Sequence, residues 1–260
     1  MTYIHALILG IIEGITEFLP VSSTAHLDLS ARLLSIPTSE FLKTFEIAIQ
    51  LGAILAVVII YASWLKRSRE LWKRIIIAFL PTGIIGFVLY KLIKSILLGN
   101  IEIMVWTLGI GGIVLILFEL LYKEKPKTVS SEQELETLSY KKAFIIGLVQ
   151  AIAVIPGVSR SAATVIAGRS LGVSRQAIVE FSFLLAIPTM AAATGYSLLK
   201  EASSFSSHEF SLLGIGFVAA FISALIAVKT FLKYIRNHTM IGFGIYRIFL
   251  ALALLGILYS

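Results

Sequence analysis

The chain has 260 residues, of which 58% are hydrophobic and only 14% are charged. A soluble domain is typically about half apolar and about a quarter charged, so this composition excludes an ordinary soluble protein and predicts an integral membrane protein. The absence of cysteine excludes disulfides and thiol chemistry. The net charge of +7 lies in loops without interleaved aromatic residues, which excludes a nucleic-acid groove and indicates anionic lipid head groups.

In chain order, the apolar residues predict two kinds of membrane segment. Two stretches, 4–34 and 143–171, are interrupted at Pro20 and at Pro156. Each half is too short to cross a bilayer, so these stretches are expected to be re-entrant helical hairpins. Six other stretches are close to the roughly 20 residues that a span requires, and they lie at 45–65, 75–98, 101–122, 177–199, 210–232 and 241–258.

The two interrupted stretches belong to two similar halves of a single membrane domain. We expect repeat one to cover 1–122 and repeat two to cover 143–260, with an exposed loop at 123–142 between them. A shift of 137 positions superimposes the breaks and pairs identical residues, namely Gly10 with Gly147, Val21 with Val158, Ser22 with Ser159, Ala25 with Ala162 and Arg32 with Arg169.

The positions of the basic residues orient the two halves. Lysine and arginine are concentrated in three connections, at 66–74, 123–142 and 229–236. The positive-inside rule places these connections in the cytoplasm. The first hairpin then enters from outside and the second from inside, so the repeats have inverted topology, which brings broken helices together near the membrane midplane. The predicted fold is all-α, with six transmembrane helices and two re-entrant hairpins.

Both breaks carry residues that suit an anion. A helix that restarts after Pro20 or Gly157 offers free N–H donors and partial positive charge, which favour phosphate oxygens. Arg160 adds a permanent charge in a planar fork. Serine and threonine also cap helices, so for each hydroxyl the capping role stays open. The candidate hydroxyl donors are Ser22, Ser23, Thr24, Ser159, Ser161 and Thr164.

Glu13 and Glu17 are four residues apart and share one face of a helix. Two carboxylates this close repel unless a proton or a cation lies between them. Mg²⁺ or Ca²⁺ bound by the pair and by phosphate oxygens would satisfy both charges. The alternatives are a general base with a raised pKa, or a pair that faces water at the membrane surface.

His26 follows Ser23 by three residues and is expected on the same helical face. A serine and histidine beside an anion site are typical of nucleophilic attack or of acid–base assistance to an attacking water. A lone histidine in an apolar setting is also often structural, and without nitrogen or sulfur co-ligands it does not indicate zinc.

Two further features lie inside the predicted spans. Arg247 in the last span requires an anionic partner and is expected to line the cavity and bind substrate. Gly109, Gly111 and Gly112 predict a close helix contact, with a homodimer face as one interpretation.

Two long motifs resemble those of the undecaprenyl-diphosphate phosphatase family, the bacitracin-resistance type. The first is EGITEFLPVSSTAHL at 13–27, and the second is PGVSRSAAT at 156–164. Stretches 180–188 and 246–248 are also similar, so the resemblance runs nearly end to end. The chain departs from the family pattern at Ala25 and Ala162, where the usual residue is glycine.

This resemblance implies an enzyme that removes the terminal phosphate of a polyprenyl diphosphate and regenerates the monophosphate carrier used in cell-wall assembly. It implies a divalent cation, a location in the plasma membrane and a site open to the external face. Glu13 and Glu17 match the family's essential acids, Ser23 and His26 its nucleophile and acid–base partner, and Arg160 its phosphate clamp. Whether Ser23 or water attacks stays open at this point. The rival interpretation is a lipid flippase or transporter, because inverted repeats with polar midplane sites are also transporter features.

Overall fold

The computed structural model describes residues 1–89, 97, 100–122, 129–201 and 205–258. These residues contain helices and, within those ranges, no strand, as the composition predicted. A 3₁₀ helix covers Ala151–Val154. The α-helices are α1 (Tyr3–Thr16), α2 (Ser23–Leu33), α3 (Glu40–Ile60), α4 (Ala62–Arg67), α5 (Arg69–Val88), α6 (Ile101–Leu121), α7 (Ser131–Glu136), α8 (Tyr140–Gln150), α9 (Arg160–Ser170), α10 (Arg175–Glu201), α11 (Ser207–Ile235) and α12 (Ile241–Leu258).

Polar caps set the first residue of several long helices. The side chains of Ser39, Ser68 and Asn100 each accept a hydrogen bond from the amide three residues further on, which satisfies a donor that the first turn leaves unpaired. Such caps extend α3 and α5 into polar residues, so both helices begin several residues before the apolar stretches that predicted them. α3 also ends at Ile60 rather than at 65, and α4 follows it separately.

Among the residues that the structure describes, five helices are long and apolar enough to cross a membrane, namely α3, α5, α6, α10 and α11. The chain is therefore a multi-pass membrane protein. The sixth predicted span forms α12, whose apolar part, Ile241–Gly256, is shorter than the others, as is α1. Most of the end of the predicted span 75–98 lies outside the described residues.

Both interrupted stretches are broken where the sequence predicted. In the first, α1 ends at Thr16 and α2 begins at Ser23. In the second, α8 and the 3₁₀ helix are followed by α9, which begins at Arg160.

The expectation of an exposed loop at 123–142 needs correction. Residues 123–128 lie outside the described part of the chain, but 129–142 include α7 and the start of α8. Leu135 of α7 is fully buried in the same apolar cluster as Leu71, and Trp64 Nε1 donates a hydrogen bond to Glu136 at 2.8 Å. One buried leucine in a polar stretch is too little periodicity to reveal such a helix.

The two halves exchange packing partners. The shift of 137 that aligns the sequences carries α1 onto α8, α2 onto α9 and α5 onto α11. α1 packs against α11, and α8 packs against α5. Both contacts are close, since a Cβ built at Gly10 would lie 2.4 Å from the carbonyl oxygen of Gly216 and one at Gly147 would lie 1.8 Å from that of Ala78. The first helix of each interrupted stretch thus packs on a long helix from the other part of the chain.

The close helix contact predicted at the α6 glycines is confirmed, and its partner is α12 of the same chain. A Cβ at Gly111 would lie 2.1 Å from Nη2 of Arg247, and one at Gly112 would lie 2.7 Å from the carbonyl oxygen of Gly244. At Gly109 the contact with Ala251 is looser, at 3.7 Å. Because α12 of the same chain packs on this face, the glycines cannot form the contact of a homodimer. The homodimer itself stays a prediction.

Candidate active site

Each break ends in a serine with an unusual backbone conformation. Ser22 has φ 70° and Ser159 has φ 69°, values that residues with a side chain adopt rarely. Gly157, at φ 88°, adopts this region without steric cost. In both breaks the next residue starts a helix, and Ser161 Oγ donates to the carbonyl oxygen of Phe18 at 3.1 Å. Two helix N-termini therefore lie side by side.

Arg247 of α12 ties the two breaks together from behind. Its guanidinium is fully buried and donates to five carbonyl oxygens. Nη1 bonds Pro20 at 3.2 Å and Val158 at 3.0 Å, and Nη2 bonds Gly157 at 2.9 Å. The sequence predicted an anionic partner and a substrate contact for Arg247. In the structure all of its donors instead bond backbone carbonyl oxygens, so Arg247 stabilises the site by holding the two breaks in place.

The carboxylate of Glu17 contacts residues that follow both breaks. Its Oε2 accepts a hydrogen bond from the Ser23 hydroxyl at 2.5 Å, and its Oε1 lies 3.5 Å from Nη2 of Arg160. Arg160 Nη1 donates to the carbonyl oxygen of Ser182 at 2.5 Å. The Nε–H of Arg160 has no acceptor among the described residues. Three residues predicted from two distant motifs thus share one site.

Glu13 is completely buried one turn before Glu17. Neither of its carboxyl oxygens accepts a hydrogen bond from a donor in the described residues. Its strongest charged neighbour is Glu17, with weaker electrostatic contacts to Glu46 and Arg160. A buried carboxylate without donors is costly, and the proton or cation that the sequence led us to expect between Glu13 and Glu17 stays a prediction.

His26 makes two hydrogen bonds, and neither reaches Ser23. Nδ1 lies 2.7 Å from the carbonyl oxygen of Ser22, and Nε2 lies 2.7 Å from the hydroxyl of Tyr246. The tyrosine ring stacks on the imidazole with centroids 5.6 Å apart. Because a carbonyl can only accept, Nδ1 carries the proton, and in the neutral ring Nε2 accepts from Tyr246. The predicted pair of Ser23 with His26 is not formed here, and Ser23 faces Glu17 instead.

The remaining predicted hydroxyls divide into two groups. Ser22 and Thr24 line the cavity, and Ser159 both lines it and accepts a bond from the amide of Ala162 at 3.3 Å, so it is also a helix cap. Ser161 is bonded to backbone, as described above. Thr164 donates to the carbonyl oxygen of Arg160 at 2.8 Å and bonds Gln150 at 3.1 Å. These last two hydroxyls support the site from outside the cavity.

The cavity between the breaks has a volume of about 210 Å³. Charged, polar and apolar side chains all line it. Its lining residues are Glu17, Ser22, Ser23, Thr24, Gln50, Thr82, Gln150, Ala153, Val154, Ile155, Pro156, Gly157, Ser159, Arg160, Thr189, Met190 and Ala193.

Several site residues escaped the sequence-based prediction. Gln50, Thr82 and Gln150 line the cavity, and Gln150 donates to Thr82 at 3.1 Å. Ser182 orients Arg160, and Tyr246 orients His26. The available signal was a polar side chain within an apolar stretch, which marks the two glutamines but cannot distinguish a threonine or a tyrosine from ordinary packing.

The two departures from the family pattern do not reach the cavity. Ala25 is fully buried and packs with Met104 and Leu108, while Ala162 is 3% exposed. Neither methyl lines the cavity.

Comparison with known proteins gives the family. The family model described as the bacitracin resistance protein BacA matches residues 6–253. A protein named undecaprenyl-diphosphatase from Aquifex aeolicus is 54% identical over 260 residues, which cover 100% of this chain and 98% of that protein. Proteins of the same name from a Sulfurihydrogenibium species and from Wolinella succinogenes are 52% and 49% identical, each over 98% of its own length and 100% and 98% of this chain. With both motifs meeting in one cavity and the match extending over nearly the whole length, the chain belongs to the BacA family.

Proposed function

We propose that this protein is a membrane phosphohydrolase that removes the terminal phosphate of undecaprenyl (polyprenyl) diphosphate and yields the monophosphate lipid carrier. Its relatives carry the name of this activity. The observation that carries the proposal is the meeting of Ser23, Glu17 and Arg160 in a polar cavity of an otherwise apolar molecule. A hydroxyl, a carboxylate and a guanidinium can supply the nucleophile, the base and the positive charge of a phosphoryl transfer.

Arg160 holds the terminal phosphate in this proposal. Its Nε–H is unused by the described residues, and its 3.5 Å contact with Glu17 is long for a charge-assisted hydrogen bond. These donors, with the hydroxyls of Ser22, Thr24 and Ser159 and the free amides of two helix N-termini, suit a diphosphate. Stabilising the charge on the phosphoryl group in flight is then the main catalytic contribution.

The attacking oxygen comes from Ser23 or from water. In the first route Glu17 takes the hydroxyl proton, Ser23 Oγ bonds the terminal phosphorus, and the bond from that phosphorus to the bridging oxygen breaks. The prenyl monophosphate leaves, and water then hydrolyses the phosphoserine. In the second route Glu17 takes the proton from a water that attacks directly. The 2.5 Å contact between Ser23 and Glu17 supports the first route, with His26 and Tyr246 as a second path for protons.

A divalent cation, Mg²⁺ or Ca²⁺, fits Glu13 and Glu17. Both oxygens of Glu13 lack donors in the described part of the chain, and no three His, Cys, Asp or Glu side chains converge there as a complete metal site. Two carboxylates completed by substrate phosphates and water are a common way to bind Mg²⁺. A bound cation would neutralise charge on the phosphate oxygens.

The proposal includes a membrane placement. We place the protein in the plasma membrane with six spans, two re-entrant hairpins in inverted repeats, and a cavity open to the external face. The basic connections support the orientation, and the correspondence of α1 with α8, α2 with α9 and α5 with α11 supports the repeats.

Phosphate release is the decisive experiment. Purified protein in detergent, without a membrane gradient, should release inorganic phosphate from undecaprenyl diphosphate, and a chelator should stop the release. A flippase or transporter would release none. Ser23→Ala should lose most of the activity, and a phosphoserine trapped in the wild type but not in this variant would establish the Ser23 route. Folded wild-type protein that hydrolyses no prenyl diphosphate would contradict the proposed function.

A further inference from the structure

Gln150 is a buried amide whose orientation is set by its neighbours. It is the last residue of α8, is 1% exposed and lines the cavity. The hydroxyl of Thr82 donates to the carbonyl oxygen of Gly147 at 2.9 Å, so its oxygen accepts from Nε2 of Gln150 at 3.1 Å. At the other end of the amide, Oε1 lies 3.1 Å from the hydroxyl of Thr164. Nε2 therefore faces Thr82 and carries a second hydrogen, for which the described residues provide no acceptor.

The other neutral polar side chains that line the cavity from α3, α5 and α10 are less suited to hold a ligand. The hydroxyls of Thr82 and Thr189 already donate to backbone carbonyl oxygens, that of Thr189 to Leu185 at 2.7 Å. Gln50 is only partly buried and also lines a neighbouring cavity of about 100 Å³. Gln150 is thus a buried donor with a fixed direction and an N–H to spare.

Gln150 lies beside the proposed phosphate clamp. The hydroxyl of Thr164 contacts both Oε1 of Gln150 and, at 2.8 Å, the carbonyl oxygen of Arg160. Glu17 and Ser23 line the cavity from the first half of the chain, and Gln150 lines it from the second. The amide therefore belongs to the half that does not carry the candidate nucleophile.

We propose that Gln150 donates a hydrogen bond to the phosphate that stays on the lipid, and that it thereby determines specificity for a diphosphate. The inference rests on the proposed function and adds the residue that recognises the second phosphate. In an in-line displacement the leaving oxygen lies opposite the attacking oxygen. With Ser23 on the first half, the leaving phosphate is directed toward the second half, where Gln150 lies.

The chemistry of the leaving group suits a neutral donor. When the bond between the terminal phosphorus and the bridging oxygen breaks, its electron pair goes to that oxygen, and the retained phosphate gains negative charge. The N–H of Gln150 stabilises this charge as it develops. Because charge-assisted hydrogen bonds are about twice as strong as neutral ones, an amide also holds the monophosphate product less tightly than an arginine would.

Two substitutions at this position separate the donor from the packing. Gln150→Leu removes the amide. Gln150→Glu keeps the size and the oxygen that faces Thr164, but it removes the donor and adds a charge that repels phosphate. Gln176→Leu is the matched control, because Gln176 also donates to one side-chain oxygen, that of Glu180 at 2.9 Å, and does not line the cavity.

Binding of two probes to purified protein in detergent with Mg²⁺ gives the first readout. A prenyl methylenediphosphonate carries both phosphorus groups and cannot be hydrolysed, whereas orthovanadate replaces only the terminal phosphoryl group beside Ser23. In Gln150→Leu the affinity for the diphosphonate should fall by about tenfold to a hundredfold, the range for losing a hydrogen bond to a charged group. The affinity for orthovanadate should change by less than about twofold. Gln150→Glu should lose more of the diphosphonate affinity, and Gln176→Leu should keep both affinities.

Equal losses for the two probes would mean that Gln150 only supports Arg160 through Thr164, and unchanged diphosphonate affinity would also overturn the inference. If Gln150→Leu does not fold, the isosteric Gln150→Glu decides by the same comparison.

Phosphate release gives the second readout and separates this inference from the proposed function. The kcat/KM for undecaprenyl diphosphate should fall at least as much as the diphosphonate affinity. If that affinity depends on Gln150 while the wild type releases no phosphate, the recognition of the second phosphate holds and the hydrolysis fails. If the wild type releases phosphate but both Gln150 variants bind the diphosphonate normally, the hydrolysis holds and the role of Gln150 fails.

Discussion

The break at 17–22 and the break at 155–159 occupy equivalent positions in the two halves, and Ser22 and Ser159 have nearly equal φ values of 70° and 69°. Their surroundings differ in charge. Glu13 of the first half has Gln150 at its equivalent position in the second, and Ser23 has Arg160. One break supplies the acids and the hydroxyl, and the other supplies the guanidinium. A repeated backbone thus provides two matched helix N-termini, and unlike side chains make one asymmetric site from them.

Removing the guanidinium should show the largest effect. Arg160→Ala deletes the one permanent charge on the second break, and we expect phosphate release to fall by about 10³-fold, the size found when a preorganised transition-state donor is lost. The measurement is kcat on folded protein. Arg67→Ala is the control, because this arginine forms only an exposed pair with Glu132 at 2.8 Å, and it should stay within about twofold. Full activity of Arg160→Ala would reject the clamp.

Replacing Glu13 by the residue at the equivalent position of the second half should lower activity without lowering stability. Glu13→Gln copies the residue at position 150, and we expect turnover to fall by about 10²-fold, if one lost charge interaction is worth roughly 3 kcal/mol. The thermal midpoint in chelator should stay equal or rise, because the variant removes a buried carboxylate that has no donors. A parallel fall in both quantities would mean that Glu13 serves the fold rather than the cation.

Arg247 holds the two breaks in register, so its loss should disturb both. Arg247→Met leaves the carbonyl oxygens of Pro20, Gly157 and Val158 without their donor, and we expect destabilisation of about 3–5 kcal/mol, as when one partner of a buried charged contact is removed. Arg247→Lys should recover only part, since an ammonium has fewer donors. The readout is denaturant unfolding beside KM. A raised KM at unchanged stability would instead show that Arg247 contacts substrate.

His26, in the first turn after the first break, has no counterpart in the second half, where Ala163 is equivalent, and the hydroxyl of Tyr246 bonds its Nε2. Tyr246→Phe removes the hydroxyl that Nε2 of His26 bonds at 2.7 Å, and we expect about a tenfold loss of kcat, the effect of one misplaced hydrogen bond. Nitrogen NMR of the imidazole should show a changed Nε2 shift, because that nitrogen loses its hydrogen bond, while the carbonyl oxygen of Ser22 keeps the proton on Nδ1. Tyr234→Phe is the matched control, because Tyr234 also stacks on a histidine, at 4.4 Å.

The part of the site that could be predicted from the sequence is set by the free energy that each side chain costs inside a membrane. Glu13, Glu17, Ser23 and Arg160 were predicted together because charges inside apolar stretches require one another. The structure brings Glu17, Ser23 and Arg160 to one cavity and buries Glu13 one turn before Glu17. By the same reasoning we predicted an anionic partner for Arg247. Backbone carbonyl oxygens can accept the hydrogen bonds of a guanidinium as well as an anion can, and no sequence pattern shows which acceptor is present.

The direction of side chains could not be predicted for a different reason. The spacing of Ser23 and His26 puts them on one helical face, yet rotamers and Tyr246, which is 220 positions away from His26, decide their partners.

The smallest effect is expected where this chain departs from its family. Ala25 and Ala162 occupy equivalent positions in the first turns of α2 and α9. The same substitution at both positions therefore tests whether the two helix N-termini respond alike in stability and activity. Ala25→Gly and Ala162→Gly should each cost roughly 0.5–1 kcal/mol of stability, because glycine loses more conformational freedom in a helix. Neither methyl lines the cavity, so kcat/KM should change by less than about twofold, within the range of mutations that touch no site. Unfolding and phosphate release are compared in these two variants and in the double variant. A rise of kcat/KM by about tenfold would mean instead that the methyls restrict the approach of the phosphate to the helix N-termini.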